Sequence, residues 1–104
     1  MNEELKEKLR KQGKTVGEAI FRHRTAKGEL ARFDATARLA VKSDGMKRTE
    51  ADTDAAVLAD PKRASLEVEL IATEAELEQV KTDTQCILAE VSLVCAETAA
   101  MSRI

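Results

Sequence analysis

Two long segments of this chain repeat apolar residues every seven positions, and this repeat constrains the fold more than any other feature. In the first segment the repeat occupies Val16, His23, Leu30 and Ala37, and, three residues later, Ala19, Ala26, Phe33 and Ala40. In the second segment it occupies Leu70, Leu77, Thr84, Val91 and Thr98, and Thr73, Val80, Ile87, Val94 and Met101. Such spacing is typical of helices that pack along a narrow seam. We therefore predict an all-α fold in which two long helices form an antiparallel, coiled-coil-like hairpin.

Few residues interrupt these segments, since the 104 residues include one Pro and four Gly. Thr15 opens a capping-box pattern that predicts a helix start, and Gly45 suits the end of that helix. Thr49 marks a weaker start, and Asp60-Pro61 gives the strongest one. The predicted division is a charged N-terminal helical arm at 1–14 and a helical hairpin at 15–104, with a helix at about 16–42, a short connecting helix at about 50–58 and a long helix at about 61–102.

The last helix also carries apolar residues away from its seam. Leu88 and Cys95 are predicted to widen the seam, whereas a separate set lies on the opposite side of the helix. This candidate self-association face consists of Cys86, Leu93, Ala96 and Ala100. A two-helix hairpin covers one stripe on each helix, so a second apolar stripe predicts a homo-oligomer, with a dimer favoured.

The two halves of the chain carry opposite charge. Residues 1–48 hold 13 Lys/Arg and 7 Asp/Glu, a net charge of 13 − 7 = +6, and residues 49–104 hold 4 and 12, a net charge of 4 − 12 = −8. One interpretation is that the halves pair with each other. The alternative is that the basic half binds nucleic acid through phosphate contacts. The candidate nucleic-acid-binding residues are Lys6, Lys8, Arg10, Lys11, Lys14, Arg22, Arg24 and Lys27.

The sequence offers no recognisable pattern for catalysis or for a cofactor. His23 is the only histidine and falls on the seam, which favours a structural role. No Cys/His spacing typical of zinc sites, no activated nucleophile and no glycine-rich phosphate loop is present. The acidic residues around Asp52 and Asp60 lack the spacing of a calcium loop. We predict that the protein is not an enzyme and binds no metal or cofactor.

The N-terminal residues, the most apolar stretch and the two cysteines together suggest a cytoplasmic location. The first residues are charged and resemble no secretory signal, so none is expected. The most apolar stretch, Cys86 to Met101, contains Glu90 and Glu97 and is shorter than the roughly 20 residues that span a bilayer, so no membrane association is expected. Cys86 and Cys95 are nine positions apart, too far for a disulfide within one helix, so reduced thiols are expected.

Three segments carry a resemblance to a class of known proteins: Ala26-Lys27-Gly28-Glu29-Leu30, Met46-Lys47-Arg48-Thr49-Glu50-Ala51-Asp52 and Glu74-Ala75-Glu76-Leu77-Glu78. Together they resemble small helical accessory proteins of tailed bacteriophages and prophages, over about residues 15–95. The resemblance implies a phage context, beside replication or recombination genes, and a location in the host cytoplasm. The predicted function is protein–protein contact, as an assembly adaptor or an inhibitor of a host enzyme. The alternative is a nucleic-acid-binding accessory of phage replication or recombination.

Overall fold

The computed structural model describes residues 3–42 and 49–102, and nearly all of them are helical. Helix α1 spans Glu3–Lys42, α2 spans Glu50–Leu58 and α3 spans Pro61–Ser102, and these residues include no strand. The predicted all-α class is therefore confirmed. The antiparallel hairpin arrangement stays a prediction.

The helix start predicted at Thr15 is wrong. Helix α1 begins at Glu3 and continues through Gly13 and Gly17, so residues 3–14 of the predicted arm belong to the first long helix. The Thr15 hydroxyl donates to the Lys11 carbonyl at 3.0 Å, a bond typical of a threonine inside a helix. The helix forms here because Leu5 is buried and Leu9 and Gln12 are half-buried, at positions that continue the seam.

The other two helix starts lie where the sequence indicates. The Thr49 side chain accepts a hydrogen bond from the Asp52 amide, and the Asp52 side chain accepts one from the Thr49 amide, which completes a capping box. At the start of α3 the Asp60 carboxylate accepts a hydrogen bond from the Lys62 amide at 2.8 Å. The helix end predicted at Gly45 lies outside the described residues.

Two compact units divide the chain. Unit 1 comprises Met1–Ile20 and Ala75–Ile104, and among its described residues the buried side chains are Leu5, Ala19, Val80 and Ile87. Unit 2 comprises Phe21–Glu74, and its buried side chains in the described part of the chain are Ala26, Thr53, Val57 and Thr73. Helix α2 lies entirely within unit 2 and contributes Thr53 and Val57 to that core. Each unit therefore has its own set of buried residues.

Burial follows the predicted seam over most of its length. The seam residues are buried or half-buried from Val16 to Ala37 in α1 and from Leu70 to Val94 in α3. Ala40, Thr98 and Met101 are exposed, and so are Leu88 and Cys95, so these five residues were wrongly predicted to belong to the seam. For Thr98 and Met101 the reason is the start of α1. Leu5 and Val94 line one small cavity, and only Glu3 and Glu4 of α1 precede Leu5 among the described residues.

Candidate interaction surface

Helix α3 carries a second regular row of residues on the side away from its buried seam. The row consists of Ala75, Gln79, Thr82, Cys86, Ala89, Leu93, Ala96 and Ala100, called here the outer stripe. Its members alternate in steps of four and three residues, as the seam residues do. At about 100° of rotation per residue, the stripe lies roughly half a turn from Val80, Ile87 and Val94. All eight residues are exposed.

The outer stripe contains no charged residue, although charged residues make up 35% of the chain. The charged residues of α3 within unit 1 all lie between the stripe and the seam: Glu76, Glu78, Lys81, Asp83, Glu90 and Glu97. The polar members of the stripe are satisfied within α3. The Thr82 hydroxyl donates to the Glu78 carbonyl at 3.1 Å, and the Gln79 amide donates to the Asp83 carboxylate at 2.9 Å. The stripe therefore presents a neutral and largely apolar surface.

The matching row on α1 in the same unit has the opposite character. It consists of Glu4, Glu7, Lys11, Lys14 and Glu18, and every member is charged. A row of this kind is typical of a helix face that water covers. The outer stripe differs from such a solvated face, because it has no charged residue and leaves the apolar side chain of Leu93 61% exposed. Unit 1 thus has one charged outer face, on α1, and one uncharged outer face, on α3.

An ion pair lies at the edge between the seam and the outer stripe. The Lys8 ammonium donates to the Glu90 carboxylate at 2.9 Å, and both side chains are about half exposed. This hydrogen bond, with the charge of Glu90, raises the pKa of Lys8 above its ordinary value of 10.5. The pair therefore offsets one negative charge beside the stripe.

The structure places all four residues of the predicted self-association face on the outer stripe. Cys86, Leu93, Ala96 and Ala100 are exposed, and the Cys86 thiol is free. Sequence reasoning missed Ala75, Gln79, Thr82 and Ala89, which complete the row. The seven-residue spacing is the signal that could have identified them. Hydropathy alone does not, because Ala, Gln and Thr are not strongly apolar. Whether this face self-associates stays a prediction.

The predicted nucleic-acid-binding residues differ in their surroundings. Lys6 pairs with Glu3 at 3.3 Å, Lys8 pairs with Glu90, and Arg10 pairs with Glu7. Arg22 is exposed and also has a partner interaction. Within the described part of the chain, Lys11, Lys14, Arg24 and Lys27 are exposed and make no ion pair. Half of the predicted basic set is therefore engaged within the chain.

Unit 2 holds the best-formed ion pair among the described residues. The Arg63 guanidinium donates to both Asp34 carboxylate oxygens, at 2.7 and 3.3 Å, and also donates to Glu67 at 3.3 Å. The hydrogen bond to Asp34 raises the pKa of Arg63 further, so this side chain stays charged. Nearby, the Lys62 ammonium lies 5.9 Å from the centre of the Phe33 ring. These contacts join α1 to α3 and indicate a structural role.

Two further properties bear on the chemistry of the surface. Helix α3 includes an 18-residue stretch with a mean hydropathy of 1.2 that is long and apolar enough to cross a membrane, and 6% of that stretch is buried within the chain. This stretch is longer than the Cys86 to Met101 segment on which the expectation of no membrane association rests. Among residues 3–42 and 49–102, no group of three or more His, Cys, Asp or Glu side chains is placed to hold a metal ion.

Comparison with known proteins adds no relative. No protein-family model, no curated protein and no solved structure matches this chain.

Proposed function

We propose that this chain is a non-enzymatic helical protein that acts through protein–protein contact at the outer stripe of α3. One observation carries the proposal: eight exposed, uncharged residues follow a seven-residue repeat on a helix whose other face is already buried. A repeat of this kind is what a helix needs in order to pack against another helix. The role would be that of an adaptor in an assembly or of an inhibitor that occupies a surface of another protein.

The proposal includes an antiparallel hairpin of α1 and α3, which presents the stripe. Within unit 1, Lys8 contacts Glu90, whereas Gln12, one turn later in α1, contacts Val80 and Thr84, earlier in α3. Within unit 2, Asp34 contacts Arg63, whereas Ala26, earlier in α1, lines a surface depression together with Glu69, later in α3. In each unit, positions that advance along α1 meet positions that recede along α3, and this supports antiparallel packing.

A single charge on the outer stripe tests the proposed function. Leu93→Asp places a carboxylate in the middle of the stripe and leaves the seam unchanged, because Leu93 is 61% exposed. Leu39→Asp is the matched control, since Leu39 is 70% exposed on α1 in unit 2. Immobilised chain is incubated with free chain and with an extract of the source cells. We expect stoichiometric capture, of copies or of another protein, that Leu93→Asp abolishes and Leu39→Asp preserves. Capture that is absent, or equally strong for both variants, would contradict the proposed function.

A second candidate function rests on the unpaired basic residues of α1. Lys11, Lys14, Arg24 and Lys27 are exposed without an ion pair among the described residues, so they are available for phosphate contacts. The charged neighbours Glu4, Glu7 and Glu18 weaken the positive field on the same helix, which makes this candidate the second choice. It would make the chain a nucleic-acid-binding accessory.

A mobility-shift titration separates the two candidates. Single- and double-stranded DNA are titrated with the wild-type chain at low and at moderate salt, in parallel with a Lys11→Glu, Lys14→Glu double variant. If the second candidate holds, binding at low salt weakens with added salt and is lost in the double variant, whereas Leu93→Asp binds as the wild type does. The absence of a shift at low salt would remove this candidate.

The setting of this function follows only from the resemblance noted in the sequence. That resemblance supports a phage or prophage accessory protein in the host cytoplasm, and the same capture experiment names the partner if it is a host enzyme.

A further inference from the structure

We propose that the partner of the outer stripe is a second copy of this chain, with the two α3 helices side by side, parallel and in register. The inference rests on the proposed function, because it takes the outer stripe as the contact surface and assigns its occupant.

The geometry of the stripe suits a helix of the same kind. From Ala75 to Ala100 the stripe spans 26 residues, a length of about 38 Å. Alternate positions are small, namely Ala75, Thr82, Ala89 and Ala96, which allows two helix axes to approach to about 8 Å. The intervening positions hold Gln79, Cys86, Leu93 and Ala100. Two such rows satisfy the spacing of a two-stranded coiled coil.

The distribution of charge favours a copy of the same chain. In a parallel, in-register pair each stripe residue lies opposite its own copy, so any charge in the stripe would meet a like charge. The outer stripe is uncharged at all eight positions, whereas the matching row of α1 in unit 1 is fully charged. A different partner would need a neutral row with the same spacing. A second copy always has one, present at the same concentration.

The residues beside the stripe decide the direction of pairing. On one side lies an acidic row of Glu76, Asp83, Glu90 and Glu97, and on the other side lie Glu78, Gln85, Ser92 and Ala99. Antiparallel copies would bring the two acidic rows together, so that like charges oppose each other. Parallel copies instead place the acidic row of one copy beside the mixed row of the other.

Parallel pairing also provides hydrogen bonds. In register, Gln85 lies beside Glu90 of the second copy, and Ser92 lies beside Glu97 of the second copy. The amide and the hydroxyl can each donate to a carboxylate, and only Glu78 meets an acidic residue, Asp83 of the second copy. In addition, Lys8 already offsets the charge of Glu90. Alanine predominates in the stripe, so little apolar area is buried per turn and the dimer should dissociate on dilution.

The two native cysteines report the register directly. In a parallel pair Cys86 lies opposite Cys86 of the second copy, whereas Cys95 lies outside the stripe and faces away from the contact. A Cys95→Ser variant, treated with a short bismaleimide, should form a covalent dimer several-fold faster than a Cys86→Ser variant. Circular dichroism checks that both variants keep the helical content of the wild type.

A thiol introduced at position 100 distinguishes parallel from antiparallel pairing. In a Cys95→Ser, Ala100→Cys variant, parallel copies give links from 86 to 86 and from 100 to 100. Antiparallel copies with Leu93 near the centre of the contact bring position 86 of one copy near position 100 of the other and give links from 86 to 100, and mass spectrometry of the digested dimer separates these products. Dominant 86-to-100 links, or equal rates for the two single-cysteine variants, would overturn the inference.

Sedimentation equilibrium of the wild-type chain completes the test. We expect a monomer–dimer equilibrium that Leu93→Asp shifts to monomer and Leu39→Asp leaves unchanged. A wild-type chain that stays monomeric would overturn the inference, and so would a monomer that instead floats with phospholipid vesicles. If such a monomer still captures another protein in a manner sensitive to Leu93→Asp, the proposed function stands and only the identity of the partner is wrong.

Discussion

Gln12 joins α1 to α3 from a half-buried position in the seam. Its side-chain amide donates to the Val80 carbonyl at 3.2 Å and to the Thr84 hydroxyl at 2.9 Å. Apolar neighbours can slide past each other at little cost. These two hydrogen bonds, in contrast, form only when the helices are aligned so that Gln12 lies beside Val80 and Thr84. A polar pair in such a seam contributes more to register than to stability.

Two substitutions separate these contributions. Gln12→Ala removes both bonds and most of the packing, and it should lower the free energy of unfolding by about 1 kcal/mol. Gln12→Leu replaces the bonds with apolar contact at a half-buried site, and it should leave the free energy unchanged or raise it. Urea titrations followed by circular dichroism give both values. A loss for Gln12→Leu as large as that for Gln12→Ala would show that the hydrogen bonds stabilise the fold.

The Lys8–Glu90 pair predicts a pH dependence at the alkaline end. Because the pKa of Lys8 is raised in the folded chain, its contribution is fully present below 10.5 and is lost as the pH rises through the folded value. The stability difference between the wild type and Lys8→Met should be constant from neutral pH to about pH 10 and then shrink. Thermal unfolding over that range measures it. Lys14→Met is the control, since Lys14 has no ion pair among the described residues, and an equal trend for it would contradict the assignment.

At the scale of the element, α1 continues through three glycines. Gly13, Gly17 and Gly28 lie inside the helix, and a β-carbon added at each would meet no atom within 4 Å other than its chain neighbours and the adjacent backbone of the helix. Each glycine weakens a helix by about 1 kcal/mol relative to alanine. Packing along the seam, with Leu5 buried in it, offsets this cost.

Alanine at these glycines should therefore stabilise the chain. Gly13→Ala, Gly17→Ala and Gly28→Ala should each raise the free energy of unfolding by about 0.5–1 kcal/mol, mainly through lower backbone entropy in the unfolded chain. The reverse change Ala31→Gly, at an exposed position of the same helix, is the control and should cost a similar amount. Urea midpoints provide the comparison. A loss of stability at any of the three glycines would mean that the helix is interrupted there.

The sequence predicts the elements well where one local rule acts alone. Asp60-Pro61 and Thr49 carry their capping signals in a few residues, and both helices begin there. The prediction of where α1 starts was wrong because it used local signals, the capping pattern at Thr15 and the weak helix former Gly13. The burial of Leu5, which extends the helix, depends on contact with α3. The Lys8–Glu90 pair joins residues 82 positions apart, so only the packed helices reveal it. Of the outer stripe, the sequence predicted four residues and missed the small and polar ones between them.

At the scale of the whole molecule, few side chains hold the described helices together. The buried hydrophobic residues are Leu5, Ala19, Ala26, Val57, Val80 and Ile87. Only three of these six, Leu5, Val80 and Ile87, are large aliphatic residues of the two long helices. The two alanines contribute little apolar area. Stability therefore depends on individual large seam residues more than it would in a protein with a thick core.

Adjacent residues of α3 test this dependence. Ile87 is 8% exposed in the seam, and Leu88 is 52% exposed beside it. Ile87→Ala should lower the free energy of unfolding by about 2 kcal/mol, near the lower end for a buried aliphatic side chain. Leu88→Ala should change it by less than about 0.5 kcal/mol. Urea unfolding at a concentration where the wild type is monomeric gives both values, and equal losses would contradict the placement of the seam.

The Val80 carbonyl has a consequence for the surface on the far side of its helix. The oxygen has two lone pairs but faces three donors: the helical amide of Thr84, the Thr84 hydroxyl at 2.8 Å and the Gln12 amide at 3.2 Å. Competition of this kind favours a longer helical bond and a local bend of the helix. We therefore expect the Gln12 side chain of α1 to influence the local curvature of α3, and with it the shape that a docking helix must follow.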